Sequence, residues 1–288
     1  MKNAARSYGR RFIQGEEMIR LICEEPQTLK QFTDTHCAQA SFFWNILLKN
    51  KDIKVNGKKI GADTPLIVGD EVCYYLTAKQ EAKKGYAFVY QDENVFVVDK
   101  ESGVNAEAVH AGLLRDTGAC AFIHRLDRNT AGLMIFARNE RAETELLAAF
   151  KEKRVEKRYH ALCFGAFPKS GDVLTAYLKK NEKASLVHIY DAPVVGAEKI
   201  ITEYKVLEIR GEISKAEITL HTGKTHQIRA HLAHIRCPIV GDMKYGDTAK
   251  NKAQNVARQA LVAKELSFSC VGALAYLNDK RFVSAFAL

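Results

Sequence analysis

No C-x-x-C pair occurs among the seven cysteines of this 288-residue chain. Cys23, Cys37, Cys73, Cys120, Cys163, Cys237 and Cys270 are dispersed and odd in number. That pattern excludes a complete disulfide framework and a zinc site built on paired cysteines, and it suits buried thiols in a reducing compartment. No stretch approaches the ~20 apolar residues that a membrane-spanning helix needs. Met1 to Gln14 carries Lys2, Arg6, Arg10 and Arg11 with no apolar run behind them, which does not read as a secretory signal. The reading is therefore cytoplasmic and off the membrane. Repeats and low-complexity tracts are also missing. Negative charge is the scarcer sign: 43 Lys and Arg against 34 Asp and Glu leave a formal charge of +9. An excess of that sign favours an anionic partner, most often nucleic acid.

What is present divides into four segments. Residues 1–15 read as a basic N-terminal extension and 16–78 as a small domain. Residues 79–85 (Lys79 to Gly85) form a polar linker, and 86–288 form a larger domain. In the small domain, Thr28 to Phe32 predicts a short helix, and Ser41 is placed as the N-cap of a second. Ile53-Lys54-Val55 running into Asn56-Gly57 predicts a hairpin. Val68 to Val72 predicts a turn into another strand. Lys49, Lys51, Lys54, Lys58 and Lys59 would face phosphates there, or simply solvent. In the larger domain, strands are predicted at 87–90, 95–98, 133–137, 159–163, 200–207 and 215–221, with a helix over 140–153 capped by Asn139. This irregular interleaving argues for an α+β class with a mixed, mainly antiparallel central sheet flanked by helices.

Two clusters hold the chemistry. His124-Arg125-Leu126-Asp127-Arg128-Asn129-Thr130 precedes a very apolar strand. A carboxylate among arginines is favoured in its charged form and can then serve as nucleophile or base. The same residues would equally make a structural ion pair at a strand start. The second cluster is Leu220 to Leu232, in which a strand ends, Thr222-Gly223 turns and a helix starts near Thr225. Lys224 beside the helix start could hold an anion. His226, His231 and His234 have no metal-ligand spacing, so no metal is expected.

Those two clusters resemble the signatures of the RluA-type pseudouridine synthases: H-R-L-D-x-x-T-S-G-L at 124–133 and L-x-T-G-R-T-H-Q-I-R-x-H at 220–231. Pro238 to Asp242 with Tyr245-Gly246, Lys157 to Leu162, and Val89 to Lys100 are similar to further family motifs in the same order. The small domain, with Ile53 to Gly57 and Gly69 to Val72, resembles the RNA-binding domain of ribosomal small-subunit protein four. There are departures: Ala131 replaces a serine, Lys224 an arginine and Val262 a histidine, and no proline follows Lys100 closely.

The resemblance implies isomerisation of uridine to pseudouridine in RNA without a cofactor, by a monomer. It makes Asp127 the essential carboxylate, acting on the anomeric carbon or through a glycal. It makes Arg229 the partner that holds Asp127 ionised, and Tyr159 the ring that stacks on uracil and helps remove the carbon 5 proton. It implies RNA contacts by Arg125, which would fill the place of the extruded nucleotide, by Ile228 against the base, and by His124, Thr130, Lys224, His226, Lys54 and Lys58. Large-subunit ribosomal RNA is the expected substrate. Transfer RNA, or a non-catalytic ribosome-assembly role on the same fold, are the alternatives.

Overall fold

The computed structural model describes residues 11–13, 16–181, 186–256 and 258–288. The basic extension read at 1–15 lies outside them, save for the backbone of Arg11–Ile13. The chain forms two compact units. The first comprises the residues up to Ala87 together with Gly103–Cys120, and the second comprises Phe88–Ser102 and Ala121–Leu288. No described helix is long and apolar enough to cross a membrane.

In the first unit, five antiparallel strands run in the order Arg11–Ile13, Glu16–Ile22, Glu71–Thr77, Ile53–Val55, Lys58–Ile60. Asn56 (φ 49°) and Gly57 (φ 78°) make the two-residue turn between the last two. That left-handed pair is what the Asn-Gly signal encodes. The helix Leu29–His36 is fixed by a capping box between Thr28 and Gln31. It buries Leu29 and Phe32 against Trp44, Leu47, Val72 and Tyr74.

Three details differ from the sequence reading. Ser41 lies inside the helix Ala38–Phe42 rather than capping one. Its hydroxyl donates to the Asp34 carboxylate, at 2.6 Å to Oδ1, a charge-assisted bond, instead of accepting from a helix N–H as a cap would. Residues 79–85 contain a helical turn, Ala78–Glu81, again held by a capping box, here between Thr77 and Gln80. Gly103–Cys120 does not stay with the strands that flank it. Its helix Ala106–Thr117 buries Val109 and Leu113 and packs on Leu29–His36 and Ala38–Phe42, with Arg115 Nη1 donating to Gln39 Oε1 at 2.9 Å.

The second unit is a long sheet. Its strands run in the order Leu186–Tyr190, Gly171–Asn181, Glu198–Arg210, Ile213–Leu220, Val155–Phe164, Leu261–Phe268, Ala131–Ala137, Val95–Lys100, Tyr86–Gln91. Pairing is antiparallel, as expected for a mainly antiparallel sheet, except where Ala131–Ala137 meets Leu261–Phe268 in parallel. Ala131–Ala137 is buried along its whole length. Leu133 and Ile135 pack under the helix Glu140–Lys151 through Leu146 and Ala149, and Asn139 caps that helix.

The parallel junction needs a glycine. Gly132 has φ +114°, and a Cβ there would stand 2.3 Å from the carbonyl oxygen of Ala263 and 2.6 Å from its nitrogen. Both neighbours are sheet backbone, which cannot swing aside. Gly132→Ala should therefore cost about 2–3 kcal/mol through strain and overpacking. A fall in the urea midpoint of unfolding measures it, and an unchanged midpoint would show that the junction is loose.

Candidate active site

The loop between Phe122 and Ala131 carries Asp127 and is tied down at several points. Thr130 N–H donates to Asp127 O at 3.0 Å, closing a turn. Lys100, fully buried, donates Nζ–H to Arg128 O (3.1 Å) and to Glu101 O (3.0 Å). Ser102 Oγ donates to Asn129 O, and Gln259 Nε2 donates to the buried Thr130 hydroxyl. His124 accepts Ile135 N–H on Nε2 (3.1 Å) and stacks on Phe150. Burial, then nearby Lys157, pushes its imidazole down to about 3, so it stays neutral. His124 and Thr130, named as RNA contacts from sequence, line the cavity and are each held by a hydrogen bond, His124 to Ile135 and Thr130 to Gln259.

The helix Gln227–His234 begins two residues later than the sequence suggested. Thr222–Lys224 turns first, because Gln227 anchors it. The Gln227 side chain is buried, accepts from Thr222 Oγ1 and Lys224 N–H, and donates to Ile201 O and Thr202 Oγ1. His226 caps the helix with φ 54°, a left-handed conformation that costs a non-glycine residue energy. Its Nδ1 shares a 2.9 Å hydrogen bond with the Tyr245 hydroxyl, which also accepts Val187 N–H. Burial holds its imidazole below the usual value, Arg229 adds to that, and Asp127 opposes it.

Arg229 joins the two clusters. It donates Nη1–H to Asp127 Oδ2 at 2.8 Å, and it grips Asp242 through Nε (2.6 Å) and Nη2 (2.9 Å). Asp242 is wholly buried and also accepts the N–H groups of Lys244 and Tyr245. Burial alone would raise its carboxyl, but Arg229 and those two donors hold it below the usual range. The same two carboxylates hold the Arg229 guanidinium above its usual value against its own burial. Of the pair, Asp127 is the accessible one: its side chain is 24% exposed, against 0% for Asp242. The Arg229 fork therefore presents one open carboxylate to a cavity of about 460 Å³. Asp242 carried no role in the sequence reading. Its only signal there was the Gly241-Asp242 step after Pro238, thirteen residues beyond Arg229.

Tyr159, Ile228 and Leu261 line the same cavity, with Arg125 exposed at its mouth. Burial, then the charge of Asp127, raises the Tyr159 phenol well above its usual value, so it stays protonated. Lys224 lies at the rim and pairs with Glu198 at 2.5 Å. Lys54 and Lys58 belong to the first unit. Lys54 donates to the Tyr75 hydroxyl at 3.0 Å, and Lys58 is exposed on the hairpin. Among the described residues no cluster of His, Cys, Asp and Glu could hold a metal ion.

Residues 94–234 match the family described as RNA pseudouridylate synthase. Ribosomal large subunit pseudouridine synthase C of Rickettsia bellii is 31% identical to this chain, over 69% of the chain and 76% of the relative. The chain belongs to the RNA pseudouridylate synthase family. It is an isomerase that converts uridine to pseudouridine. Synthase C of Vibrio cholerae is 30% identical over 70% of both chains, and synthase D of Xylella fastidiosa is 29% identical over 77% of this chain and 74% of the relative. Among solved structures, human RNA pseudouridylate synthase domain containing 1 superposes with a TM-score of 0.58 at 26% identity, covering 72% of this chain and 93% of that one.

Proposed function

We propose that this enzyme isomerises particular uridines of large-subunit ribosomal RNA, with Asp127 as the reacting carboxylate. The observation that carries the reading is the Asp127–Arg229–Asp242 arrangement opening on a cavity lined by Tyr159 and Ile228. The names of the relatives, which act on the ribosomal large subunit, support the choice of RNA.

The reaction breaks the bond from ribose to uracil N1, turns the base and rejoins it through carbon 5. Asp127 acts on the ribose side of a uridine extruded from its stack, which costs a few kcal/mol. Arg229 orients the carboxylate through its hydrogen bond to Oδ2. Tyr159 and Ile228 hold the two faces of the base between them. With its phenol raised, Tyr159 contributes a ring and an O–H, and it is poorly suited to be the base that takes the carbon 5 proton. Arg125 occupies the space that the extruded nucleotide leaves. The first unit, with Lys54 and Lys58 on its hairpin, acts as a small RNA-binding domain whose phosphate contacts offset the cost of extrusion.

The test is to map pseudouridine in ribosomal and transfer RNA from cells lacking the gene, complemented by wild type or by Asp127→Ala. Sites in large-subunit RNA should vanish in the deletion, return with wild type and stay absent with the variant. Losses confined to transfer RNA would move the substrate. Restoration by Asp127→Ala would end the assignment of Asp127 and favour a binding role.

A further inference from the structure

The strand Val155–Phe164 sorts its cations by face. Successive side chains alternate across a strand. Arg158 and His160 lie on one face and are matched there: Arg158 Nε donates to Glu156 Oε1 at 2.7 Å, and His160 Nε2 is 3.7 Å from Glu217 Oε2. Lys157 and Tyr159 lie on the other face, toward the catalytic cavity. Lys157 is only partly exposed and makes no ion pair or hydrogen bond among the described residues; its ammonium stands over the Phe150 ring, 5.6 Å from the centroid. Among the described residues no carboxylate pairs with it. His124 is neutral, and the nearest part of Gly223 is backbone. Burial, then Lys153, pulls the Lys157 ammonium below its usual value, which marks the cost of holding that charge without a counter-ion.

We propose that Lys157 is a phosphate site, where its ammonium receives a phosphodiester adjoining the uridine held in the cavity. The proposal rests on the reading of that cavity as the uridine site. Uracil and ribose are neutral, so the backbone phosphate is the one part of an RNA substrate that can supply the missing charge. The spacing suits it. Lys157 is two residues from Tyr159, about 7 Å along the strand, so a base at the tyrosine leaves room for its own backbone at the lysine. Lys157 also lines a second groove, of about 840 Å³, whose cations Lys153, Arg154, Arg158 and Lys205 outnumber its carboxylates Glu156, Glu203 and Glu217. It stands where the two meet, and a strand leaving the cavity would pass it first.

The test uses the full-length enzyme and transcripts labelled with tritium at uridine carbon 5, whose release reports the reaction. Large-subunit ribosomal RNA is tried first, then transfer RNA. Wild type, Lys157→Met, Lys157→Arg and Asp127→Asn are compared across salt concentrations. Lys157→Met should lose about ten-fold in kcat/KM at low salt, the scale of one charge-assisted contact. Its plot of log kcat/KM against log salt should be shallower than that of wild type by about 0.7, the value of one single-strand phosphate contact. Lys157→Arg should restore most of both. An unchanged slope in Lys157→Met, whatever happens to the rate, overturns the phosphate site, as does equal failure of the methionine and arginine variants. If wild type itself releases no tritium from either RNA, the uridine-site reading fails instead, and the proposal falls with it.

Discussion

Asp127→Asn should abolish tritium release from labelled RNA, with a loss of about 10⁴-fold or more, the scale seen when a reacting nucleophile is removed. The substitution keeps the shape of the side chain and can still accept from Arg229 Nη1, which now donates across 2.8 Å to a carboxylate oxygen. It removes the negative charge and the ability to bond to, or take a proton from, the ribose. RNA affinity should change little, because Asp127 contributes no positive charge to phosphate binding. Stability should change little too, because Arg229 retains both of its bonds to Asp242. Single-turnover kinetics and filter binding on the same preparation separate these effects. Comparable losses in rate and affinity would make Asp127 an RNA contact or a structural residue instead.

Arg229→Met should be costly in a different way. It strands Asp242, which is wholly buried, with only two backbone N–H donors. Removing one partner of a buried pair typically costs about 3–5 kcal/mol, and activity should fall with it, since Asp127 loses its orienting donor. The pH dependence carries a sign. In the wild type the Asp242 carboxyl lies below its usual value, so its contribution is present above the unfolded carboxylate pKa of about 3.9 and is lost only as pH falls through the lower folded value. In the variant the opposing charge is gone and burial is left to raise the carboxyl. A raised carboxyl gains stability as pH falls. The gap in melting temperature between wild type and Arg229→Met should therefore narrow as pH falls from neutrality toward the unfolded carboxylate value of about 3.9. A gap that is constant over that window would mean that Asp242 does not feel Arg229 as a charge.

The parts of the site that could be read from sequence are those carried by short, contiguous strings. Residues 124–133 and 220–232 each bring their residues to one end of a strand, so local order conveys local geometry. Asp242 was opaque because its role comes from a guanidinium with two usable edges, and only the folded chain shows which edge faces which carboxylate. Lys157 belongs to a contiguous motif, but its meaning depends on the face of the strand it takes and on its having no charged partner among the described residues. The same holds for the fold. Ala131–Ala137 and Val95–Lys100 are legible because both faces are buried, and the first is uniformly apolar while the second opens on the apolar run Val95–Val98. The hairpin of Gly171–Asn181 with Leu186–Tyr190 is not, because Asp172 lies on the strand's more buried face while Val173 is exposed, so apolar residues do not alternate even though burial does. The helix Ala106–Thr117 is amphipathic, but no local signal says that it leaves the unit of its flanking strands.

The parallel pairing of Ala131–Ala137 with Leu261–Phe268 has one more effect. Two strands that run side by side in the same direction begin at the same rim of the sheet. The segments that lead into them, 123–130 and 258–260, therefore arrive together although some 130 residues of chain separate them. Gln259 reaching Thr130 is the visible stitch between them. Insertions or substitutions in the second segment act at close range on the carboxylate carried by the first. The lead-in to Leu261 is thus a place where evolution, or a protein engineer, could retune the position of Asp127 without altering any residue of its own loop.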